Sequence, residues 1–559
     1  MNKVIDIGQL QPVVITRRLY VLFGLLILFT VTTIALAAAI LGVVINRLDS
    51  KSGSFPDNSE SWSLVSQIKI EDLMKHLEQL QRIADRSNGT RAAATVGFNM
   101  TLDYISNQLE QNTNFKIQHQ YFTVRNYIIH GTPQLQTQIN GNLTNRVYLT
   151  DFTQILLSST AHFETFVPVV PILNLGCEDT DWTSTSVFGL VALVKRGNCS
   201  NKLKSALAEK YQAKGLLIYN DGTAPDRFQS IQGVNNNWNT TIPAFFLSYN
   251  LGMELLNAVG NAGVIMDISV SDVNGVGNIC ADTQTGDKTK TILVGSHSDS
   301  VKEGSGIDDN GSGTIGNLVL ALNLARLFQT SSLHYSPYSY RVRFCWWGAE
   351  ELGLLGSLYH VQQASLPNTT TDGERLQDYL VNLNYDMLAG PNYQFGIQDS
   401  SLVPLGTPAQ ALNGTSRITN LYQQWFDGQK LPWSKVEFGG GSDYAPFLAA
   451  GIAVGGINTG TDEIKPSTER DQYAALLGTG NGGIANAAYD PCYHQQCDRI
   501  RNINPFAFEK NVKAAAYVIE YLGRLNNLER WLYPNGRIKN FKSFNRNQLN
   551  NFHDDRNHI

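Results

Sequence analysis

Residues 292–300 read ILVGSHSDS, residues 313–329 read GTIGNLVLALNLARLFQ, and residues 341–347 read RVRFCWW. The first and third stretches are short apolar runs typical of buried strands, and the second has the length and spacing of a helix. Strands that alternate with helices predict an α/β sheet with helices on both faces. Functional sites of such sheets gather at the carboxyl ends of strands, where His297, Glu350 and Glu351 fall.

Five metal-type ligands lie in short motifs that read as strand ends or tight loops. They are His297 in VGSHSDS, Asp309 in GIDDNGSG, Glu351 in WWGAEELGLLGS, Asp386 in LNYDML and His494 in DPCYHQQCD. Each motif alone has an ordinary explanation as a turn, a helix start or a structural histidine. Together, two imidazoles and three carboxylates suit zinc and leave room for an acidified water. The set predicts a hydrolase.

Composition indicates a globular protein of more than one domain. The chain has 559 residues, 42% hydrophobic and 16% charged, with 48 glycines. A length of this size exceeds one ordinary core. The formal net charge of -5 gives no reason to expect nucleic acid as a partner.

The N-terminal region predicts a membrane anchor. Residues 20–45 carry no charge and are long enough to cross a bilayer. Arg17 and Arg18 precede them, which favours a cytosolic tail over 1–19 and a single-pass type II protein whose bulk is extracellular or lumenal. The alternative is a secreted protein, because Ala35 and Ala37 fit a signal-peptide cleavage site. Residues 46–66 read as a stalk.

The cysteine pattern favours an oxidising compartment. Cys177 with Cys199, and Cys492 with Cys497, are plausible disulfides, whereas buried thiols and a bridge are equally expected for Cys280 and Cys345. Asn-x-Ser/Thr sequons agree with secretory exposure. They lie at Asn88, Asn99, Asn142, Asn239, Asn368 and Asn413, and one at Asn310 inside the proposed metal loop is not expected to be glycosylated.

The motifs, in this order and spacing, resemble the di-zinc aminopeptidases of the aminopeptidase Y type. The likeness runs from about Ile68 to Asn527 and includes the Glu350-Glu351 pair after WWGA and GSDYAPF at 441–447. The β-rich stretch between the two halves resembles a protease-associated domain through LGCEDTDW and VALVKRGNCSNKLKSA. The implied fold is the zinc exopeptidase fold, a mixed, mostly parallel sheet flanked by helices. The boundaries are 67–139 and 271–530 for the peptidase domain, 140–270 for the insert and 531–559 for a polar tail.

The resemblance implies a role for each site residue. His297 and Asp386 would hold one zinc ion, Glu351 and His494 a second, and Asp309 would bridge them. Asp299 would orient the His297 ring, Glu350 would be the general base, and Tyr493 would donate a hydrogen bond to the oxyanion. These roles together predict a zinc-dependent aminopeptidase.

The charged residues near the motifs indicate the substrate class. Carboxylates beside the metals, Glu350 and Asp386, suit peptides with a free N-terminus, whereas a carboxypeptidase needs a basic cluster near the motifs. A glutaminyl-cyclase-like enzyme and a non-catalytic receptor ectodomain remain alternatives. The insert is expected either to cover one side of the cleft or only to stabilise the protein. The oligomeric state is not predicted.

Overall fold

The computed structural model describes residues 63–223, 225–231, 240–330, 334–367, 371–404, 406–538 and 544. Its strands are β1 Lys116–Ile139, β2 Asn142–Asn145, β3 Phe152–Gln154, β4 Ala161–His162, β5 Val167–Pro171, β6 Val191–Lys195, β7 Gly215–Tyr219, β8 Ala244–Leu247, β9 Ala262–Asp282, β10 Asp287–His297, β11 Tyr340–Trp347, β12 Tyr379–Tyr385, β13 Gly396–Gln398, β14 Ser434–Val436 and β15 Ala453–Asn458. Its α-helices are α1 Leu64–Gln67, α2 Ile70–Asp85, α3 Val96–Asn112, α4 Asp179–Thr183, α5 Asn201–Lys210, α6 Tyr249–Asn257, α7 Gly313–Thr330, α8 Leu355–Ala364, α9 Ala409–Gly428, α10 Tyr444–Ala449, α11 Ser467–Leu477, α12 Pro505–Arg524 and α13 Leu528–Leu532.

The sheet that carries the site runs in the order β14, β13, β15, β12, β10, β11, β9. Strand β10 pairs in parallel with β11 and β12, and β12 pairs in parallel with β15. Strand β9 is antiparallel to β11, and β13 is antiparallel to β15. The prediction of a mixed α/β sheet flanked by helices is therefore confirmed.

Apolar residues on both faces of the central strands bury them between two layers of helices. Along β10, Ile292 and Val294 join one apolar cluster while Leu293 joins a second. The first cluster includes side chains of α2, α7, α9 and α12, and the second includes side chains of α8 and α10. Side chains of successive strand residues point to opposite faces, so near-continuous apolar runs such as ILVG are what a doubly covered strand requires.

A long antiparallel ribbon of β1 and β9 connects this sheet to the inserted β-rich part. The start of β9 pairs with β4 and β5, whereas its end pairs with β11. Strands β5 to β8 are parallel neighbours, and β3 lies antiparallel to β8. Strand β1 ends at Ile139, next to the predicted insert boundary, but β9 is continuous from Ala262 to Asp282 across residue 270.

Three disulfides join the cysteines. Cys177–Cys199 and Cys492–Cys497 pair as the sequence suggested. Cys280 and Cys345, left open at the sequence level, also form a bridge. They sit directly opposite each other on β9 and β11 with Cα atoms 4.1 Å apart. This pairing depends on strand register, which spacing in the sequence does not reveal.

Buried residues extend beyond the predicted boundaries of the peptidase domain at both ends. Leu64 is fully buried inside the range predicted as a stalk, and Leu532 and Tyr533 are buried inside the range predicted as a tail. The predicted cytosolic tail and membrane anchor, residues 1–45, lie outside the described residues. Within the described ranges, none of the helices combines the length and apolar character needed to cross a membrane.

Candidate metal centre

The predicted ligands converge at the carboxyl edge of the central sheet. His297 is the last residue of β10 and lies opposite Trp347, the last residue of β11. Glu351 follows four residues after that strand, and Asp386 comes directly after β12. Because these strands are parallel neighbours, their ends bring the side chains together.

The remaining two ligands come from loops. Asp309 lies in the turn Ile307–Ser312 that enters α7, and His494 lies in the loop closed by the Cys492–Cys497 bridge. Gly306 begins the turn with φ 58°, and a Cβ there would lie 2.2 Å from the Asp309 carbonyl oxygen. The turn thus needs glycine at this position both for conformation and for space.

The distances divide the ligands into two groups that share Asp309. His297 Nε2 lies 3.3 Å from Asp309 Oδ1 and 3.2 Å from Asp386 Oδ1. His494 Nε2 lies 3.1 Å from Asp309 Oδ2 and 3.2 Å from Glu351 Oε2. Each oxygen of Asp309 therefore faces a different histidine. Asp309 is therefore the carboxylate that the two groups have in common.

The side chains fit a zinc site chemically. Ligand atoms of His297, Asp309 and Glu351 all lie within 4.8 Å of one another, close enough to surround one cation. Glu351 Oε1 is buried and has no hydrogen-bond partner among the described residues. Imidazole nitrogens and carboxylate oxygens are zinc ligands, and a cation would satisfy that buried oxygen.

The pKa shifts of the site residues also favour a bound cation. Burial, together with the neighbouring Asp309 charge, raises the pKa of Glu351 to about 7 even though His494 acts to lower it. Burial alone would lower the pKa of His297, but the charges of Asp386 and Glu350 raise it well above its ordinary value. The centre holds an excess of buried negative charge, which a bound cation neutralises.

Glu350, the predicted general base, faces the group that contains His297 and Asp386. Its Oε2 lies 3.9 Å from His297 Nε2, and the residue is 6% exposed. Burial raises the pKa of this carboxyl well above its usual range, against the opposing effect of the His297 charge.

Asp299 lies beside both His297, a predicted ligand, and Glu350, the predicted base. Its carboxylate Oδ1 lies 3.6 Å from His297 Nδ1, whereas its backbone oxygen lies 3.1 Å from that nitrogen. Oδ1 instead accepts a hydrogen bond of 3.1 Å from the Glu350 amide. The backbone carbonyl is thus the closer partner of the ring, and the carboxylate holds the start of the Glu350 segment.

Tyr493 lies beside His494 in the disulfide-closed loop. The two rings stack with centroids 3.8 Å apart. Burial and the carboxylates of Asp309 and Glu351 raise the pKa of the phenol well above its ordinary value. Tyr493 therefore keeps its proton at neutral pH and can serve as a hydrogen-bond donor.

Three supporting residues have no role in the sequence-level prediction. Arg91 is fully buried and donates to the backbone oxygens of Ser298, Ser305 and Gly306. Asp498 accepts from the backbone amides of Asp308 and Asp309, and Ser442 donates to Asp386 Oδ2. Asp498 and Ser442 lie in motifs already noted, but Arg91 is distant in sequence and carries no local signal.

A cavity of about 1410 Å³ opens over the centre. Its walls come from the ends of the central strands, from β1 and from the inserted part. The residues shared with the predicted site are His297, Asp299, Asp309, Glu350, Glu351, Asp386, Tyr493 and His494. The structure thus brings every predicted site residue to one cavity.

The mixed sheet, with two histidines and three carboxylates gathered near its carboxyl edge, fits a zinc-dependent hydrolase. The chain belongs to Peptidase family M28, which it matches over residues 278–519, and residues 165–255 match the PA domain. The predicted resemblance and the prediction of a peptide-bond hydrolase are confirmed, and the domain matched at 165–255 lies within the predicted insert.

Relatives across most of the chain support the assignment. An "Aminopeptidase" of Pseudomonas aeruginosa is 32% identical over 469 residues, 81% of each chain. A "probable leucine aminopeptidase 2" of Aspergillus oryzae is 30% identical over 489 residues, 86% of this chain and 88% of its own. The solved structure of an aminopeptidase from Aneurinibacillus sp. strain AM-1 shares the fold, with TM-score 0.59 and 19% identity over 82% of this chain and 94% of its own.

Proposed function

We propose that this protein is an aminopeptidase that uses two zinc ions to remove N-terminal residues from peptides. The division of the ligands into two groups around Asp309 carries the proposal. The family and the relatives named aminopeptidases favour this activity over a cyclase, a carboxypeptidase or a receptor. The number of ions is inferred from the geometry alone. His297 lies beside Asp386 and one oxygen of Asp309, whereas His494 lies beside Glu351 and the other oxygen of Asp309.

Each proposed zinc position has two ligands of its own and shares a fifth. His297 and Asp386 would hold one ion, Glu351 and His494 the other, and Asp309 would contact both. Bound zinc supplies Lewis-acid polarisation of the scissile carbonyl and activation of a water molecule. Asp309 fixes the separation of the two positions because each of its oxygens is held toward one histidine.

Side chains of the protein would transfer the proton of the attacking water and would bind the charged groups of the substrate. Glu350 accepts the proton of the attacking water and passes it to the leaving amine. Tyr493 donates a hydrogen bond to the oxygen that gains negative charge, a term that is usually large in acyl transfer. Glu350 and Asp386 attract the α-ammonium group of the substrate. This charge recognition selects a free N-terminus.

The test uses residues 63–559 and a peptide with a free N-terminus beside its N-acetylated form. We expect stepwise release of N-terminal residues from the free peptide only, lost on chelation and restored by zinc. Release from the other end of both peptides would indicate a carboxypeptidase. No cleavage by a zinc-loaded protein would contradict the proposal.

We further propose that the catalytic part lies outside the cytosol, anchored by residues 20–45. The three disulfides support an oxidising compartment. Sequon residues Asn88, Asn99, Asn142 and Asn413 are exposed, which allows glycosylation, whereas Asn310 is buried. Asn239 and Asn368 lie outside the described residues. Glycosidase treatment and protease protection of intact cells test this arrangement.

A further inference from the structure

The ribbon of β1 and β9 passes from the central sheet to the cavity over the metal centre. Ile279 of β9 pairs with Trp346, near the end of β11. Because β9 runs antiparallel to β11, the earlier residues of β9 extend beyond the carboxyl edge of the sheet. Strand β1 pairs with this part of β9, and residues 127–129 of β1 line the same cavity as the metal ligands.

Strand β1 contains a bulge at this point. It advances four residues, from Val124 to Ile128, while β9 advances two. Asn126 lies inside the bulge with φ 53°, a left-handed conformation that asparagine tolerates better than most residues. Its amide donates to Asp272 Oδ1 at 3.0 Å. Bulges bend a strand and redirect side chains, and here the residue that follows Asn126 is Tyr127.

The side chains of this segment are apolar and lie between two cores. Tyr127 packs against the apolar cluster of the peptidase part, and Ile129 packs against that of the inserted part. Ile128, between them, is 37% exposed and lines the cavity. Lys302 and Glu303 line the same cavity, but both are exposed and together they add no net charge. The segment therefore offers the cavity an apolar surface.

Tyr127 lies on the side of Glu351 rather than of Asp386. Burial raises the pKa of its phenol to about 12, and the carboxylates of Asp299, Glu303 and Glu351 add to this rise. The order of the strands agrees, since it runs β12, β10, β11, β9, with β1 beside β9. Asp386 follows β12, whereas Glu351 follows β11. The direction from Asp386 across the site to Glu351 therefore leads toward the ribbon.

We propose that Tyr127, Ile128 and Ile129 bind the side chain of the substrate's second residue, so that the enzyme prefers peptides with a large apolar residue there. This inference rests on the proposed aminopeptidase function and adds a substrate class to it. In that function the α-ammonium lies at Glu350 and Asp386, and the peptide beyond the scissile bond extends away from it, toward the ribbon. Burial of an apolar side chain against the bulged segment then favours binding.

The test measures the release of leucine by the zinc-loaded full-length protein from four tripeptides that differ at the second residue. They are Leu-Phe-Gly, Leu-Gly-Gly, Leu-Glu-Gly and Leu-Lys-Gly. We expect kcat/KM for Leu-Phe-Gly to exceed that for Leu-Gly-Gly by about tenfold, the lower end of what burial of a phenylalanine provides. The two charged peptides should resemble Leu-Gly-Gly. They test whether charged lining residues of either sign decide the preference instead.

Variants assign the effect to the bulged segment. In Tyr127→Ala and in Ile128→Ala the ratio of kcat/KM for Leu-Phe-Gly to that for Leu-Gly-Gly should fall, and in the double variant it should approach one. The ratio is taken on a single protein sample, so incomplete folding of a variant cancels. Tyr127→Phe should keep the ratio, because the ring makes the contact. Tyr121→Ala is the matched control, since Tyr121 is 60% exposed on the same strand and is not among the described residues that line the cavity.

The outcomes separate this inference from the proposed function. Equal rates for Leu-Phe-Gly and Leu-Gly-Gly overturn the inference and leave the aminopeptidase function intact. A preference for Leu-Phe-Gly that persists in the double variant also overturns it, because the side chain is then bound elsewhere. A charged peptide that is cleaved faster than Leu-Phe-Gly does the same. Failure to cleave any of the four peptides contradicts the aminopeptidase function itself.

Discussion

The hydroxyl of Ser442 donates a hydrogen bond of 2.6 Å to Asp386 Oδ2. Ser442 Oγ in turn accepts from Asn384 Nδ2 at 2.8 Å, which directs the serine proton toward the aspartate. The other oxygen of Asp386, Oδ1, faces His297. The serine thus determines which oxygen of the proposed ligand is available to a metal ion, as groups behind metal ligands commonly do.

Replacement of Ser442 by alanine should weaken zinc binding by about 10–100-fold, because Asp386 loses the group that orients it. Zinc affinity measured by competition with a chromophoric chelator checks this, and Ser442→Thr should restore most of the affinity. Ser401→Ala is the control, since Ser401 makes a similar bond to Asp399 at 2.8 Å away from the ligands. Unchanged affinity in Ser442→Ala would refute the orienting role.

Glu350→Gln should lower kcat by about 10²–10⁴-fold, because glutamine keeps the shape of the side chain but cannot accept the water's proton. We expect two zinc ions per chain to remain bound, since Glu350 is not a proposed ligand. Steady-state kinetics and metal analysis on the same sample check both statements. Glu110→Gln, an exposed site on α3, is the control. A variant that loses zinc as well as activity would make Glu350 a ligand instead.

Asp309→Asn should reduce bound zinc more than Asp386→Asn does, because Asp309 faces both histidines and Asp386 faces one. A metal that binds only the folded state stabilises it, so the loss should also lower the melting temperature of the zinc-loaded protein. Metal analysis and thermal unfolding, with and without chelator, measure the two effects. Equal losses in both variants would contradict a bridging position.

Motifs that follow predicted strands indicated from sequence which residues would cluster at the candidate metal centre, because His297 and Asp386 stand at strand ends and parallel strands bring their ends together. Spacing could not indicate that Cys280 and Cys345 pair, since their contact requires the antiparallel register of β9 and β11. Arg91 was missed for a similar reason. It follows α2, which packs against the turn Ile307–Ser312, and long-range packing of this kind leaves no local pattern in the sequence.

A buried ionic network stabilises the sheet away from the metal centre. Asp282 at the end of β9 accepts from Arg343 Nε at 2.7 Å and from Arg341 Nη1 at 3.1 Å. Glu374 accepts from Arg343 Nη2 at 2.7 Å. Both arginines are at least 95% buried, so each carboxylate offsets the cost of a buried positive charge. Loss of either carboxylate leaves that charge partly uncompensated.

Glu374→Gln should destabilise the protein by about 1.5–3 kcal/mol near pH 6, the range for a hydrogen bond to a charged group. Burial would raise the pKa of Glu374, but Arg343 lowers it to about 2, below the ~4.3 of an unfolded chain. The carboxylate therefore stabilises the fold above pH ~4.3, and this contribution disappears as the pH falls toward 2. Denaturant unfolding at pH 6, 5, 4 and 3 should show that the difference between variant and unmodified protein is nearly the same at pH 6 and 5 and becomes smaller at pH 4 and again at pH 3. The exposed pair of Arg470 and Asp471 provides the control, since Asp471→Asn should change stability by less than about 1 kcal/mol at every pH. A difference for Glu374→Gln that stays constant across this range would mean that the ionised form contributes nothing beyond shape.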